Sequence, residues 1–469
     1  MSPLHRAPAR ERWSWAIYDF AATLFSMNML SLYFAVWLVS DLHAPNTVVA
    51  IANGITAILV VLSLPVFGTL SDVSGRRKPW VTGFTLLCAA ATVGLGIIGT
   101  TLVPRIGDSV LGGISDPAFR VGGTALTAIV LMFVVANYAH QGAVPFYNAM
   151  LSELAPPGER GRLSGLGAAL AYIGSITGVL MISPFFNGSI PVVGPLSDHV
   201  IHTLRTLVPF TSSAGRVSTF APTAIVFLLF SIPFLLFCRD HMPNPVKQGI
   251  PWRKAFEDVK HTVRETRRYP GTRRFILASL MYQDAMGTII GFMALYAVVA
   301  MGFTKGSETT LFVVLTIPAV FGSWLWGRLT DTLSPKRTLT IVITSWIVLL
   351  VAMMFVTSQT AFWVVGGLIG FIYGGVTVAE RPLLLTLVPE EESGRFFSLM
   401  ILSARAAAVV GPFIWGLAVD GLSPVIGTHL AYRAAVGTVA AAMLAALYVL
   451  RGVPDRSGQV VLPAPTGTR

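Results

Sequence analysis

Charge is what this chain most lacks: Asp, Glu, Lys and Arg make up only 12% of its 469 residues, about half the share of a soluble globular domain. Water cannot be the main solvent of such a sequence. Cysteine is nearly absent. Cys88 lies in an apolar run and Cys238 ends another, which excludes a disulfide framework and a cysteine-based metal site. None of the six lysines follows a glycine, so there is no GxxxxGK[ST] cradle for nucleotide phosphates and no primary pump in this chain alone. No His precedes a Glu and no Ser has Gly two residues away on both sides, which removes the HExxH metal motif and the serine nucleophile elbow. The expectation is a protein that is not an enzyme and carries no metal or cofactor.

What is there is hydrophobic. Apolar residues reach 54%, mean hydropathy is +0.70, and Gly (44) and Pro (29) are abundant, as in membrane helices. Crossing roughly 30 Å of hydrocarbon takes about 20 apolar residues, and twelve candidate spans are present: 13–40, 46–70, 79–100, 124–150, 161–188, 220–238, 273–301, 307–328, 338–357, 361–386, 395–419 and 430–451. The first follows Arg6, Arg10 and Arg12 and is too long for a cleaved signal's apolar core; it reads as an anchor. With the N-terminus placed inside, 26 of the 33 Lys and Arg fall in inside segments, six in outside ones, and Arg405 alone within a span. Cytoplasmic loops are enriched in these cations, so both termini are expected in the cytoplasm and the chain in the cell (inner) membrane. The net charge of +11 is thereby explained by topology rather than by nucleic acid.

The chain also repeats itself about a basic linker, 239–272. Gly68-Thr-Leu-Ser-Asp72-Val-Ser-Gly-Arg76-Arg77-Lys78-Pro-Trp ends the second span, and Gly327-Arg-Leu-Thr-Asp331-Thr-Leu-Ser-Pro-Lys336-Arg337 ends the eighth. A second pair, LAPPGERGRLS (154–164) and LVPEEESGRFF (387–397), shares L-x-P and G-R in register, and Tyr18-Asp19 echoes Tyr282-Gln283-Asp284. Parallel repeats of this kind are a mark of secondary transporters. The expected organisation is a cytoplasmic N-terminus (1–12), a six-helix bundle (13–238), the linker, a second six-helix bundle (273–451) and a tail (452–469). In the linker, Trp252, Phe256, Val259 and Val263 recur at helical spacing among basic residues, predicting an interfacial helix against anionic lipid.

The repeated loop resembles the signature cytoplasmic loop of the major facilitator superfamily. That resemblance implies an all-α integral membrane fold of twelve transmembrane helices. On chemistry, Gly68 permits close helix approach, Asp72 accepts hydrogen bonds from a cation or a helix N-terminus, and Arg76, Arg77 and Lys78 supply partners. These residues, with Gly327, Asp331, Lys336 and Arg337, are expected to latch the cytoplasmic side; the alternative is that the cations only set topology. Pro335 replaces the expected Gly in the second copy, which predicts a weaker latch there. WSWAIYDFAATLFS (13–26), FYNAMLSELAPPGERGRLSGLGAALAYIG (146–174) and RPLLLTLVPE with Gly411-Pro412 resemble the vacuole-effluxer branch, whose fungal members release amino acids from the vacuole. RRKPW is also similar to sodium-coupled glycoside symporters, but the second span offers Asn53 and no Asp, so their paired-Asp cation site is missing.

Ionisable groups inside spans cost about 2.5–3.5 kcal/mol each at a helix centre. Asp284 and Arg405 each lie ten residues past a flanking arginine, hence about 15 Å deep at 1.5 Å per residue. The resemblance puts their helices on the cavity, so Asp284 is expected to take a proton or substrate ammonium and Arg405 a substrate carboxylate; a structural ion pair between the two is the alternative. Asp19 either faces the cavity or pairs with Arg12 or a neighbouring loop. His140 either titrates near neutral pH or packs as a hydrogen-bonded residue, and Tyr18, Asn137, Gln141, Tyr282 and Gln283 are expected along the path. Glu380 and Arg381 are either gate residues or, as the plainer account, a pair snorkelling at the interface. The expected function is secondary transport of a small polar solute, an amino acid fitting the zwitterionic pair, with the proton as coupling ion. The alternatives are a sugar or drug carrier, or a transporter-like binding or signalling protein.

Overall fold

In the computed structural model the described residues are 7–42, 44, 46–101, 123–191, 193–211, 215–241, 266, 268–269, 271–303, 308–407 and 410–455. The expected linker helix around 252–263 and the tail beyond 455 lie outside them. The described chain is nearly all helix, as hydrocarbon requires of a backbone that must satisfy its own N–H and C=O groups. The helices are α1 (Ala9–Ser26), α2 (Asn46–Ser74), α3 (Lys78–Thr101), α4 (Gly123–Ala149), α5 (Arg160–Asn187), α6 (Phe220–Phe237), α7 (Thr272–Met301), α8 (Glu308–Leu333), α9 (Pro335–Phe355), α10 (Gln359–Leu387), α11 (Ser393–Ala407), α12 (Val410–Ile426) and α13 (Thr428–Arg451). Among the described residues nine helical stretches are long and apolar enough to cross a bilayer, and each overlies an expected span. The chain is a multi-pass integral membrane protein.

Past Ser26 the first helix continues through π-helical turns, Met27–Tyr33 and Trp37–Asp41. Such turns are rare and mark places where a helix is re-aimed. Two antiparallel residue pairs, Ser189–Ile190 with Gly194–Pro195, form a small hairpin after α5. A short helix, Asp198–Leu207, follows and buries none of its residues.

Local chemistry sets several starts. Ser334 accepts from the Arg337 N–H at 3.2 Å, with Pro335 in the first turn of α9, satisfying one orphan donor where proline costs nothing. Ser358 does the same for α10 through Ala361 N–H. Asp240, just after α6, takes the N–H groups of Arg77 and Lys78 at 2.9 and 2.8 Å, capping α3 from a distant part of the chain.

Helices α1 to α6 pack on one another through α1–α5, α1–α6, α2–α4, α3–α4 and α3–α6, and α7 to α13 through α7–α13, α8–α10, α9–α10, α9–α13 and α12–α13. The two sets meet chiefly through α5–α8, α2–α11, α5–α10 and α4–α11. At α5–α8 only glycine fits: a Cβ on Gly165 would lie 2.8 Å from Gly327 Cα and 2.7 Å from the Ser323 carbonyl. The surface is apolar, with Phe321, Phe413, Leu229 and Tyr448 more than half exposed, as a lipid-facing rim demands.

Candidate functional site

Polar contacts joining the two sets cluster at one end of the molecule, which bears 75–78, 155–160, 239–241 and 388–392 and is here the basic face. Arg77 is fully buried and holds Glu153 at 2.8 Å and the Ala149 carbonyl at 2.6 Å, while its other nitrogen donates to Ser393 Oγ at 3.1 Å across the divide. Arg160 pairs with Glu390. Asp331 accepts from the Gly161 and Arg162 N–H groups, both at 2.8 Å, with the Arg162 guanidinium 3.6 Å away. A carboxylate on the first amides of α5 is stabilised by hydrogen bonds and helix dipole together. One turn past the apolar run ending at 328, Asp331 is nonetheless pushed up to about 6, because burial outweighs those bonds.

The second copy of the loop, despite Pro335, thus joins the two sets directly through Asp331. Its Lys336 and Arg337 turn away, to the Arg451 carbonyl and to Asp455. In the first copy Arg77 carries the cross-contact, Arg76 is exposed and Lys78 contributes its backbone; the side chains of Gly68 and Asp72 lie outside the described set.

Deeper in, Arg381 on α10 reaches across to Asp19 on α1, Nη1 to Oδ2 3.0 Å, both side chains 13% exposed. Its guanidinium lies over the rings of Trp15 and Tyr147, 5.8 and 5.9 Å away. Those rings stack at 4.5 Å and exchange reciprocal bonds, Trp15 Nε1 to the Tyr147 carbonyl and Tyr147 O–H to the Trp15 carbonyl. Gly167 admits the carboxylate, since a Cβ there would meet Asp19 Oδ2 at 2.6 Å. The snorkelling account of Glu380 and Arg381 is therefore overturned. Adjacent residues on a helix point about 100° apart; Arg381 turns to the other set, and Glu380, 5% exposed, accepts from Ser279 at 2.8 Å and from Gln283 on α7. Pairing of Asp19 with Arg12 is likewise corrected, because Arg12 holds Glu159 at 3.1 Å.

Above the Asp19–Arg381 pair lies a cavity of about 300 Å³ bordered by both sets, from α1 and its π-helical turn (Ser26, Met27), α5 (Tyr172), α7 (Ile289, Met293) and α9 and α10 (Trp346, Tyr373) among others. Its described lining includes hydroxyls such as Thr23, Ser31, Ser175 and Thr316 and, among the described residues, no charged side chain. Tyr172 and Tyr373 face each other across the divide, ring centroids 5.8 Å apart. Among the residues singled out from the sequence whose side chains are described, none borders this space. Tyr18 is buried on Thr85 at 2.7 Å. Tyr282 is fully buried. Gln141 donates to Asn137, which reaches Asn53 at 3.5 Å, and His140 lies 5.1 Å from the Phe25 ring. Asp284 abuts the Gly411 backbone, and its Oδ1 is buried without a hydrogen-bond partner among the described residues; the Arg405 side chain falls outside the description. The missed residues are small, hydroxylated or apolar, and only the π-helical turns distinguish their place.

The family model described as Major Facilitator Superfamily matches residues 20–412 and 275–466. An uncharacterized MFS-type transporter, YxiO of Bacillus subtilis (strain 168), is 22% identical over 86% of each chain. Autophagy-related protein 22 of Botryotinia fuckeliana (strain B05.10) is 26% identical over 41% of this chain and 33% of its own, on the side of the vacuole-effluxer resemblance. The crystal structure of the human organic anion transporter MFSD10 (TETRAN) superposes with a TM-score of 0.65 at 13% identity, covering 94% of this chain and all of that one.

Proposed function

Because the chain belongs to the major facilitator superfamily, we propose that it is a secondary transporter that carries a small organic solute by alternating access between two six-helix bundles, 13–238 and 273–451, of twelve spans in all. The observation that carries this reading is the Asp19–Arg381 ion pair, buried at 3.0 Å and joining the two helix sets beneath a cavity. A pair that held only one bundle together would have no reason to bridge the surface along which the halves rock. The basic face, assigned to the cytoplasm by its Lys and Arg, is closed here by Arg77, Arg160 and Asp331; rocking would part these contacts and the ion pair together. Removing one partner of a buried pair costs about 3–5 kcal/mol, since the other charge is stranded, so the pair is a strong gate only if something compensates when it opens. We assign that compensation to a proton on Asp19, which neutralises the carboxylate, together with water that reaches the Arg381 guanidinium as the cleft opens, and so take the proton as the coupling ion.

The cavity favours a solute with an apolar body over a free zwitterion. Two opposite charges placed against Ile289, Met293 and Trp346 would lose hydration without gaining counter-charges among the described lining residues, whereas an amphipathic solute buries apolar area and spends its few hydrogen bonds on the serines, threonines and tyrosines. A drug-type carrier is on this ground preferred to an amino-acid carrier. The test is counterflow in proteoliposomes, with a lipophilic dye and a panel of amino acids compared. Dye exchange that survives Asp19→Asn, together with loss of pH-driven dye accumulation, is expected; accumulation unchanged in that variant would contradict proton coupling through Asp19, and absence of exchange for every solute would favour a transporter-like binding protein.

A further inference from the structure

A second recess, about 640 Å³ and open to the outside, lies at the basic face between the start of α7 and the end of α13, with Tyr269, Gly271, Arg273, Arg274, Arg451 and Pro454 on its walls. We propose that this recess binds the phosphate of an anionic lipid headgroup from the leaflet at the basic face. It is distinct from the transport cavity.

Three arginines meet there without a carboxylate among the described lining residues. Two neighbouring acids among the described residues are already engaged: Glu392 takes the Tyr269 hydroxyl at 3.0 Å and Arg395 at 2.8 Å, and Asp455 takes Arg337 at 3.1 Å and Ser334 at 3.1 Å. The carbonyls at the end of α13, which would repel an anion, are covered by cations, Gly452 O by Arg274 at 3.0 Å and Arg451 O by Lys336 Nζ at 3.3 Å. The guanidinium groups of Arg273 and Arg451 are left exposed at the rim. Below them α7, thirty residues long, starts just after Gly271 (φ +92°) with no side-chain cap, and Gly271 lines the recess, which brings the positive end of the helix dipole to its wall. Guanidinium pairs bind phosphate through parallel N–H···O bonds that a lysine cannot match. A lipid is the source favoured over a soluble anion because α7 and α13 both run into the apolar rim, which carries the recess to headgroup depth and lets acyl chains follow the helix surfaces.

The test is native mass spectrometry of the full-length protein, delipidated in detergent and titrated with phosphatidylglycerol or phosphatidylcholine. Phosphatidylglycerol is expected to be retained at least tenfold better, and the double variant Arg273→Gln/Arg451→Gln to bring it down to the phosphatidylcholine level. Arg328→Gln, another basic-face arginine outside the recess, is expected to leave retention unchanged. Equal retention of the two lipids, or parental retention in the double variant, overturns the proposal. sn-Glycerol 3-phosphate displacing phosphatidylglycerol at equal concentration overturns the lipid as the source. Both variants alter exposed side chains, and an unchanged melting temperature without lipid shows that any loss is one of binding.

Discussion

Arg381 is the residue on which the functional account turns. Its guanidinium is held by Asp19 and by the faces of Trp15 and Tyr147, a combination that suits a planar, weakly hydrated cation better than a compact, strongly hydrated ammonium. Arg381→Lys is therefore expected to behave nearly as Arg381→Gln, each lowering transport at least tenfold, with cysteine accessibility from the basic face rising; full activity in the lysine variant would show that charge alone suffices. Asp331 gives a pH dependence whose sign follows from its burial. Its pKa stands at about 6 in the closed state, against an ordinary 3.9 or so when exposed. The closed state thus binds the proton better. Its contribution to closure is complete below the exposed value and fades as pH on that face rises through 6. Accessibility of a reporter cysteine at the basic face is expected to increase between pH 5 and 7 in the parent and to be flat over that window in Asp331→Asn. At this scale the sequence was informative about charged residues and silent about partners. Asp19, Glu380 and Arg381 stand out because charge in an apolar run is costly, but which of them pair depends on helix rotation across two separated halves, and no local pattern encodes that.

The elements were more legible than the residues. Runs of apolar residues bounded by arginines mark helices because length and hydropathy alone decide whether a segment is stable in hydrocarbon; α3, expected at 79–100 and found at Lys78–Thr101, and α13, expected at 430–451 and found at Thr428–Arg451, show how closely this fixes the ends. The π-helical turns after Ser26 were not legible, since Met27–Tyr33 has the same apolar composition as its surroundings. These turns carry Met27 and Ser31 to the cavity wall, which is why the cavity was missed. The α5–α8 contact permits a further prediction. Gly165→Leu would drive a side chain into Gly327 and the Ser323 carbonyl; overpacking of this sort costs about 1–3 kcal/mol, borne by the state in which the two helices touch. The variant is expected to fold and to shift towards opening at the basic face, read as faster cysteine labelling there. Labelling at the parental rate would mean that α5 and α8 do not form the closing seam.

For the whole molecule, the two helix sets, which carry the repeated loop and the repeated L-x-P…G-R pair, meet along α5–α8 and α2–α11. The two repeated loops make corresponding contacts across the sets: Asp331 caps α5, and the first loop sends Arg77 to Ser393 at the start of α11. The direction of the opening is encoded less directly, in where ion pairs fall once the halves are docked. The most direct test is the distance between spin labels at Gly158→Cys and Leu333→Cys, one in each half at the basic face, in a Cys88→Ser/Cys238→Ser background. The account predicts a narrow short distance in the parent and a second, longer population in Asp19→Asn and Arg381→Gln. A single distribution that neither substitution alters would contradict the claim that this buried pair holds the two halves closed.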